Sequence, residues 1–208
     1  ETITAKSSAE GRYKKQSGGH GQFGIASIRI EPLPAGSGLE FVDEVTGGAI
    51  PRQFITAVEA GVAEAMAQGG SSGYPVVDVR VAVVDGKHHS VDSSEMSFKM
   101  AGRLAFQEAL GGARCVVLEP VMAVEVTIPS ECLGDVMGDL SSRRATVQGS
   151  ELDRWGAQVI SAMAPEAEML RYSIDLRSIT GGRGRFTAQH DHYSRVPAGV
   201  EVPAPPEG

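Results

Sequence analysis

Hydrophobic and polar residues alternate in two stretches of the first half of the chain. In "IASIRIEP", Ala26, Ile28 and Ile30 fall on one face and polar residues on the other, as in a strand that is buried on one side. The stretch "VVDVRVAVVDG" repeats this pattern. Its apolar face consists of Val77, Val79, Val81 and Val83. The pattern therefore predicts two half-buried strands.

A helical spacing of apolar residues follows each of these strands. After the first, "PRQFITAVEAGVAEAMAQGG" has Pro51 at the first helical position and Gly69 as its stop. The apolar stripe of this helix consists of Ile55, Val58, Val62, Ala65 and Met66. After the second strand, "DSSEMSFKMAGRLAFQEALGG" predicts a helix with Asp92 as its N-cap. Glu95 lies three residues later, at the spacing of a capping box.

The second half of the chain, from about Leu118, shows the order strand, helix, strand, strand, helix, strand. "PVMAVEVTIP" alternates as a strand does, and Ser130 is placed to cap the helix that follows. The apolar stripe of that helix consists of Leu133, Val136, Met137 and Leu140. Two extended runs, "ATVQGSEL" and "GAQVISAMAP", precede a helix over about 166–179, and "RFTAQHDHY" forms the last strand. This order predicts a ferredoxin-like βαββαβ domain.

Composition is compatible with two such domains. The 208 residues carry a formal net charge of −7, and 41% of them are hydrophobic. The acidic total argues against general coating of nucleic acid, but a local basic patch can still act because charges are screened beyond roughly 8 Å. Cys115 and Cys132 are too few for a disulfide framework, which favours the cytoplasm. No run of about 18 apolar residues occurs, so no contact with a membrane is expected.

We therefore expect an α+β protein made of two α/β sandwich domains that meet near residues 113–119. The tail "PAGVEVPAPPEG" is rich in proline, and its composition is typical of disorder. The chain opens on "ETITAK" without a methionine, which suggests a piece of a longer protein.

The glycine-rich stretch "QSGGHGQFG", residues 16–24, is the first candidate site. It lacks the Lys-Ser/Thr pair of a P-loop, and a strand rather than a helix follows it, so a nucleotide site is excluded. One interpretation is a hairpin turn that uses glycine for its backbone freedom. The other is a contact with nucleic acid, because Arg12, Lys14 and Lys15 lie beside exposed backbone amides, and Gln22 can both donate and accept hydrogen bonds.

Three further clusters have competing interpretations. "DGKHHSVDSSE", residues 85–95, contains the residue types of a hydrolase or metal site, but adjacent histidines point to opposite faces and no nucleophile elbow exists, which favours a polar, partly cationic loop end. In "QHDHY", His190 and His192 would share a strand face, either as metal ligands or as ordinary polar residues of an edge strand. In "DLSSRRA", one interpretation is that Arg143 and Arg144 interact favourably with the dipole at the C-terminus of a helix. The other is that they contact RNA.

Seven stretches together resemble the C-terminal domains IV and V of elongation factor G, the ribosomal translocation GTPase. They occur in the family's order over nearly the entire chain: "KKQSGGHGQFG", "EPLPAGSGLEFVDEVTGGAIPRQFITAVEAGV", "GYPVVDVRV", "VDSSEMSFKMAG", "LEPVMAVEVTIP", "GDVMGDLSSRR" and "AEMLRYSIDLRS". The resemblance implies a domain IV over 1–117, similar to the second domain of ribosomal protein S5. It also implies a ferredoxin-like domain V over 118–195, followed by the tail at 196–208.

The resemblance further implies a function by RNA recognition. The end of domain IV would enter the decoding region of the small subunit and contact the tRNA–mRNA duplex during translocation, while domain V would meet large-subunit rRNA. The two loops at that end correspond to residues 17–22 and 87–91, with the rRNA contact of domain V possible at Arg143 and Arg144. The implied RNA-contacting residues are Lys14, Lys15, Ser17, Gly18, Gly19, His20, Gly21, Gln22, Lys87, His88 and His89.

Departures from the family pattern keep a second interpretation open. The family commonly has Arg where His20 stands and Ser-Tyr where Lys87-His88 stand, and the present residues resemble elongation factor G-like paralogues with a different or regulatory role. A stand-alone RNA-binding module is a third possibility. The chain has no catalytic residue of its own and no P-loop, so GTP and Mg would bind only in a G domain of the parent protein. The resemblance implies a cytoplasmic monomer.

Overall fold

The computed structural model describes residues 1–16 and 21–202, which form two compact units. Unit 1 comprises residues 1–117 together with 196–202, and unit 2 comprises Leu118–Arg195. Within the described residues, no helix is long and apolar enough to cross a membrane. The predicted loop residues Ser17, Gly18, Gly19 and His20 lie outside the described residues.

Unit 1 is built on a four-stranded mixed sheet. Its strands are β2 (Ser7–Lys15), β3 (Gln22–Pro32), β4 (Leu39–Asp43) and β5 (Val79–Lys87), in the order β2-β3-β5-β4. Neighbouring strands are antiparallel except for β4 and β5, which are parallel and are connected through a helix. A short ladder of β1 (Thr2–Ile3) with β6 (Cys115–Val116) joins the two ends of the unit.

Two helices pack against this sheet. A 3-10 turn, Arg52–Phe54, follows Pro51 and leads into α1 (Ile55–Gln68), which ends at Gly69 as predicted. The second helix, α2 (Glu95–Gly112), lies so close to α1 that a side chain at Gly61 would overlap the carbonyl oxygen of Lys99. The core between helices and sheet includes the fully buried Ile28, Ile30, Val58, Val62, Phe98 and Phe106. The alternation in the strands and the helical spacing in α1 thus predicted Ile28, Ile30, Val58 and Val62, whereas Phe98 and Phe106 were not predicted as core residues.

Unit 2 is a four-stranded antiparallel sheet with helices packed against it. The strands are β7 (Leu118–Pro129), β8 (Thr146–Leu152), β9 (Ala157–Pro165) and β10 (Arg185–Arg195), in the order β10-β7-β9-β8. Numbered within the unit this order is 4-1-3-2, as expected for two βαβ halves that interleave. The helices are α3 (Leu133–Ser142), α4 (Glu166–Met169) and α5 (Tyr172–Ile179). The predicted α+β class with a ferredoxin-like second domain is confirmed.

The two predicted helix caps are wrong. Helix α2 is capped by Ser94, whose Oγ accepts a hydrogen bond from the backbone N–H of Ser97 at 3.2 Å, whereas Asp92 lies in the preceding turn. Ser130 begins a 3-10 turn and donates its hydroxyl to the carbonyl of Gly156 at 3.0 Å instead of capping α3. In both places several Ser and Asp residues compete for the cap, and local spacing does not decide between them.

Backbone irregularities account for three other differences. Val77 is 38% exposed because Asp78, with φ of 60°, breaks the alternation before β5 begins. The helix predicted over 166–179 is interrupted at 170–171, where α4 ends and α5 has not begun. A bulge at Asp191 shifts the register, so that His190 opposes Met122 and His192 opposes Val121 on β7. Val121 and Met122 are adjacent in β7, so their side chains point to opposite faces of the sheet. His190 and His192 oppose these two residues and therefore lie on opposite faces, not on the shared face that was predicted.

Candidate nucleic-acid interface

The structure brings the two predicted loops of unit 1 together at one end of its sheet. Backbone pairing of Ile25 with Lys87 places the β2–β3 hairpin beside the loop that follows β5. Beyond the sheet, the Phe23 N–H donates to the Asp92 carbonyl at 2.8 Å, and the Ser93 hydroxyl donates to the Phe23 carbonyl at 2.8 Å. We call the described residues of these two loops, 14–16, 21–23 and 87–93, the tip.

The hairpin half of the tip is closed by the backbone pair of Lys15 and Gln22. The Tyr13 hydroxyl donates to the Gln22 side-chain oxygen at 2.9 Å, which leaves the amide NH₂ of Gln22 without a partner among the described residues. The ammonium group of Lys14 lies 5.2 Å from the ring centre of Phe23, and that of Lys15 lies 5.6 Å from the ring of Tyr13. The aromatic rings thus hold both lysine side chains at the loop, where their charges stay exposed.

The second half of the tip is folded around His89. Its backbone N–H donates to the Ser93 hydroxyl at 2.8 Å, and its Nδ1 faces the N–H groups of Val91 and Asp92 at 3.4 and 3.3 Å. A neutral ring that accepts there carries its proton on Nε2, and a cationic ring instead donates from Nδ1 to the Asp92 carboxylate at 3.2 Å. In the neutral tautomer that accepts at Nδ1, and in the cationic ring, Nε2 carries a hydrogen. His89 therefore offers an exposed N–H donor to a ligand.

Close packing fixes the two halves against each other. A side chain at Gly21 would lie 3.0–3.2 Å from the carboxylate of Asp92, which is tighter than ordinary contact, so the glycine allows the two loops to approach. The Phe23 and His89 rings lie beside each other, with their centres 6.2 Å apart. His88 is held separately, through its Nδ1 and the carbonyl of Ala49 at 3.2 Å. The predicted residues Lys14, Lys15, Gly21, Gln22, Lys87, His88 and His89 are thus brought together.

The charge of the tip contrasts with that of the whole chain. Lys14, Lys15 and Lys87 are exposed, and none of their ammonium groups pairs with a carboxylate within residues 1–16 and 21–202. Asp92 is the carboxylate that faces into the tip, and it is half-buried beside His89. A polyanion such as a phosphate backbone would therefore meet three free cations here, in a protein whose formal net charge is −7.

The side chains of the tip offer groups for non-covalent binding. The Ser93 hydroxyl already donates to the Phe23 carbonyl and accepts from the His89 N–H, so it is not available as a nucleophile. Within the part of the chain that the structure describes, no three His, Cys, Asp or Glu residues lie where they could share a metal ion. Amides, ammonium groups and an imidazole N–H are groups that bind phosphates, ribose hydroxyls and base edges.

Arg143 and Arg144 lie elsewhere, in unit 2, and both are engaged within that unit. Arg144 makes two hydrogen bonds to Glu119 at 2.7 and 2.9 Å and one to Glu168 at 2.9 Å. Arg143 bonds to Asp139 at 2.9 Å and to Asp175 at 2.6 Å. The hydrogen bond with Glu119 raises the pKa of Arg144, and that with Asp139 raises the pKa of Arg143. Their contact with RNA stays a prediction.

Sequence reasoning missed the residues that hold the tip in shape. Tyr13, Phe23 and Ser93 position the lysines and join the loops, and Val91 adds an apolar side chain that is 64% exposed. Tyr13 and Phe23 are paired with Gly24 and Lys14 across the hairpin. The signal available in the sequence was the placement of two of the chain's few aromatic residues on either side of the glycine-rich loop.

Comparisons with known proteins match both units. A family model described as elongation factor G, domain IV, matches residues 1–114, and one described as elongation factor G C-terminus matches residues 116–201. A crystal structure of a protein from Thermus thermophilus is similar, with a TM-score of 0.86 and 40% sequence identity. The match covers 95% of this chain but only 29% of that one.

Proposed function

Because this chain belongs to the elongation factor G family, of which it carries domain IV and the C-terminal domain, we propose that it is the ribosome-binding part of a translational GTPase. The family resemblance identified from the sequence is confirmed, and it identifies the chain as part of an elongation factor G-type translation factor. The finer proposal is that the tip enters the small-subunit decoding region and contacts the tRNA–mRNA duplex, which promotes translocation.

One observation carries this proposal: the tip joins the loop that contains Gly21 and the loop that contains His88 and His89 into one surface, on which three lysines have no carboxylate partner among the described residues. The backbone amides at Gly21 and the ammonium groups of Lys14, Lys15 and Lys87 would meet phosphates. The free NH₂ of Gln22 and the Nε2–H of His89 would donate to ribose or base acceptors. The tip would then act by occupying and positioning, since it has no group activated for covalent chemistry.

The remaining partners belong to the same proposal. Unit 2 would contact large-subunit rRNA, and GTP with Mg would be bound by a GTPase domain outside this chain. The protein would act in the cytoplasm as a monomer. None of these roles requires a cofactor within residues 1–208.

The first experiment measures binding of the chain to ribosomes by cosedimentation at several salt concentrations. Two variants test the tip: the double variant Lys14→Gln with Lys15→Gln, and the triple variant that adds Lys87→Gln. Both should bind ribosomes about tenfold more weakly at low salt. Each lost phosphate contact should also lower the magnitude of the slope of log K against log salt by about 0.7–0.9. The matched control is Lys6→Gln with Lys99→Gln, which removes the same charge from lysines already paired with Glu31 and Glu64.

The control should change ribosome affinity less than about twofold, since it removes only screened surface pairs. An equal loss in control and tip variants would mean that net charge, not the tip, governs binding. No binding of the unaltered chain to ribosomes at any salt concentration would contradict the proposal as a whole.

A second candidate, a ribosome-binding paralogue with a regulatory role, is favoured by Lys87 and His88, where the family commonly has Ser and Tyr. Single-round translocation by a parent protein that carries the GTPase domain separates the two. If the tip acts in translocation, Gln22→Ala with His89→Ala should slow it about tenfold, the equivalent of ~1.4 kcal/mol in the barrier. A parent that binds ribosomes but moves no tRNA is the paralogue. A chain that binds unrelated RNA as tightly as it binds ribosomes is a stand-alone RNA-binding module.

A further inference from the structure

Three loops of unit 2 enclose a groove at one end of its sheet. They are the end of β7 with residues 129–131, the β8–β9 turn at 153–157, and residues 183–185 at the start of β10. The groove has a volume of about 680 Å³, enough for a nucleotide. Its lining includes Ser130, Glu131, Trp155, Arg183 and Arg185. None of these residues takes part in the tip.

Trp155 is the only tryptophan of the chain, and it is 74% exposed. A hydrogen-bonded turn holds its backbone in place: the Asp153 carboxylate accepts from the N–H groups of Trp155 and Ala157, both at 2.8 Å. The backbone N–H of Asp153 also donates to the Ala157 carbonyl at 2.8 Å. The turn thus presents the indole to solvent from a fixed backbone, with its ring available for stacking.

The charges around the indole are mainly positive. The Arg154 guanidinium lies over the ring at 4.1 Å from its centre. Arg183 is paired with Glu131 at 2.8 Å, and Arg185 has no carboxylate partner among the residues that the structure describes. The Asp153 carboxylate accepts from backbone N–H groups, and among the described residues it forms no ion pair with Arg154 or Arg185. The groove therefore combines a flat aromatic surface with cations at its rim.

We propose that this groove binds an unpaired RNA nucleotide, with the base stacked on Trp155 and the phosphate held by Arg185. A base on the indole face opposite Arg154 would complete a three-layer stack, the arrangement by which proteins bind single-stranded nucleic acid without reading its sequence. The exposed indole lies beside Arg154 and Arg185, neither of which pairs with a carboxylate among the described residues, and this favours a planar, negatively charged ligand such as a nucleotide. The proposal rests on the RNA contact proposed above for unit 2, for which it names a site and a ligand, and it does not depend on the tip.

The first test uses the whole chain and a 12-nucleotide oligoadenylate RNA. Since Trp155 is the only tryptophan, its fluorescence reports on this groove alone. We expect saturable quenching as the RNA is added. Arg185→Gln should weaken it about threefold or more and reduce the salt slope by about 0.7. The matched control is Arg195→Gln, at the opposite end of the same strand, which should leave the titration unchanged.

The second test measures anisotropy of the labelled RNA in the Lys14→Gln, Lys15→Gln, Lys87→Gln background, in which binding at the tip should be weakened. In that background Trp155→Ala should weaken RNA binding roughly 5- to 100-fold, whereas Trp155→Phe should retain most of it because the ring still stacks. Both variants alter an exposed side chain, and circular dichroism verifies that they fold.

The proposal would be overturned if the RNA caused no quenching, or if the RNA affinity were equal with and without Trp155. It would also be overturned if Trp155→Ala lowered the affinity for ribosomes in a chain that does not bind oligoadenylate. That last result would mean that the groove binds a protein of the ribosome. Failure of the tip is distinguishable, because the lysine variants of unit 1 should leave the quenching of Trp155 intact.

Discussion

Gly61→Ala is expected to lower the free energy of unfolding of unit 1 by about 2–3 kcal/mol, because the added methyl group overlaps the backbone carbonyl of Lys99. The overlap cannot be relieved by a side-chain rotation, so α1 and α2 must separate. Gly102 makes the reciprocal approach, where a side chain would lie 2.5 Å from the carbonyl of Val58. Scanning calorimetry should show the unfolding midpoint of unit 1 lowered by roughly 10 °C.

Gly111→Ala is the matched control for this prediction. Gly111 lies in the same helix, α2, is exposed, and would place its new methyl group in open space. Alanine is the better helix former by about 0.5–1 kcal/mol, so this variant should unfold at a slightly higher temperature. If both variants shifted the midpoint in the same direction, the close approach of α1 and α2 would not be what requires Gly61.

Arg144→Gln is expected to destabilise unit 2 by about 2–3 kcal/mol, since it removes three hydrogen bonds and leaves two carboxylates facing each other without a cation. The side chains of Arg144 and Glu119 are only 26% and 13% exposed, and Glu168 is 35% exposed. Removing one partner of a fully buried pair costs about 3–5 kcal/mol, and partial exposure reduces that figure here. Urea unfolding monitored by circular dichroism measures the change.

Glu131→Gln is the matched control, because it removes an ion pair of the same unit that is exposed to solvent. Glu131 and Arg183 are 65% and 59% exposed, so solvent screens their ion pair and its removal should lower the stability of unit 2 far less than Arg144→Gln does. Should the two substitutions prove equally costly, burial of the Arg144 network would not be the source of its stability. If Arg144→Gln destabilises the chain, part of it is unfolded under the conditions of a binding experiment. Any loss of RNA binding by this variant must then be corrected for the unfolded fraction.

Periodic patterns predicted the elements and the core, because apolar spacing is a property that a linear sequence displays directly. The alternation of Ala26, Ile28 and Ile30 identified β3, and each of the three is buried. The stripe of Ile55, Val58, Val62, Ala65 and Met66 identified the buried face of α1 in the same way, although Ile55 is only partly buried. The tip was predicted through the resemblance, and the structure brings its described residues together.

Features that depend on single backbone angles or on tertiary contacts were not predictable. Asp78 adopts a positive φ, and Asp191 forms a bulge, yet neither residue type requires such a conformation. Ser94 rather than Asp92 caps α2 because Asp92 is engaged at the tip. The groove around Trp155 was missed for a different reason: its lining comes from three loops that are far apart in sequence and adjacent only after the sheet has formed.

The backbone N–H of Val196 donates to the carbonyl of Val117 at 3.1 Å, so the chain leaves unit 1 and returns to it at one point. A segment whose two ends are neighbours can be removed, exchanged or duplicated without stretching the rest of the chain. Residues 118–195 are therefore connected like an inserted domain. Evolution could replace this domain as a whole while the fold of unit 1, which carries the tip, stays intact.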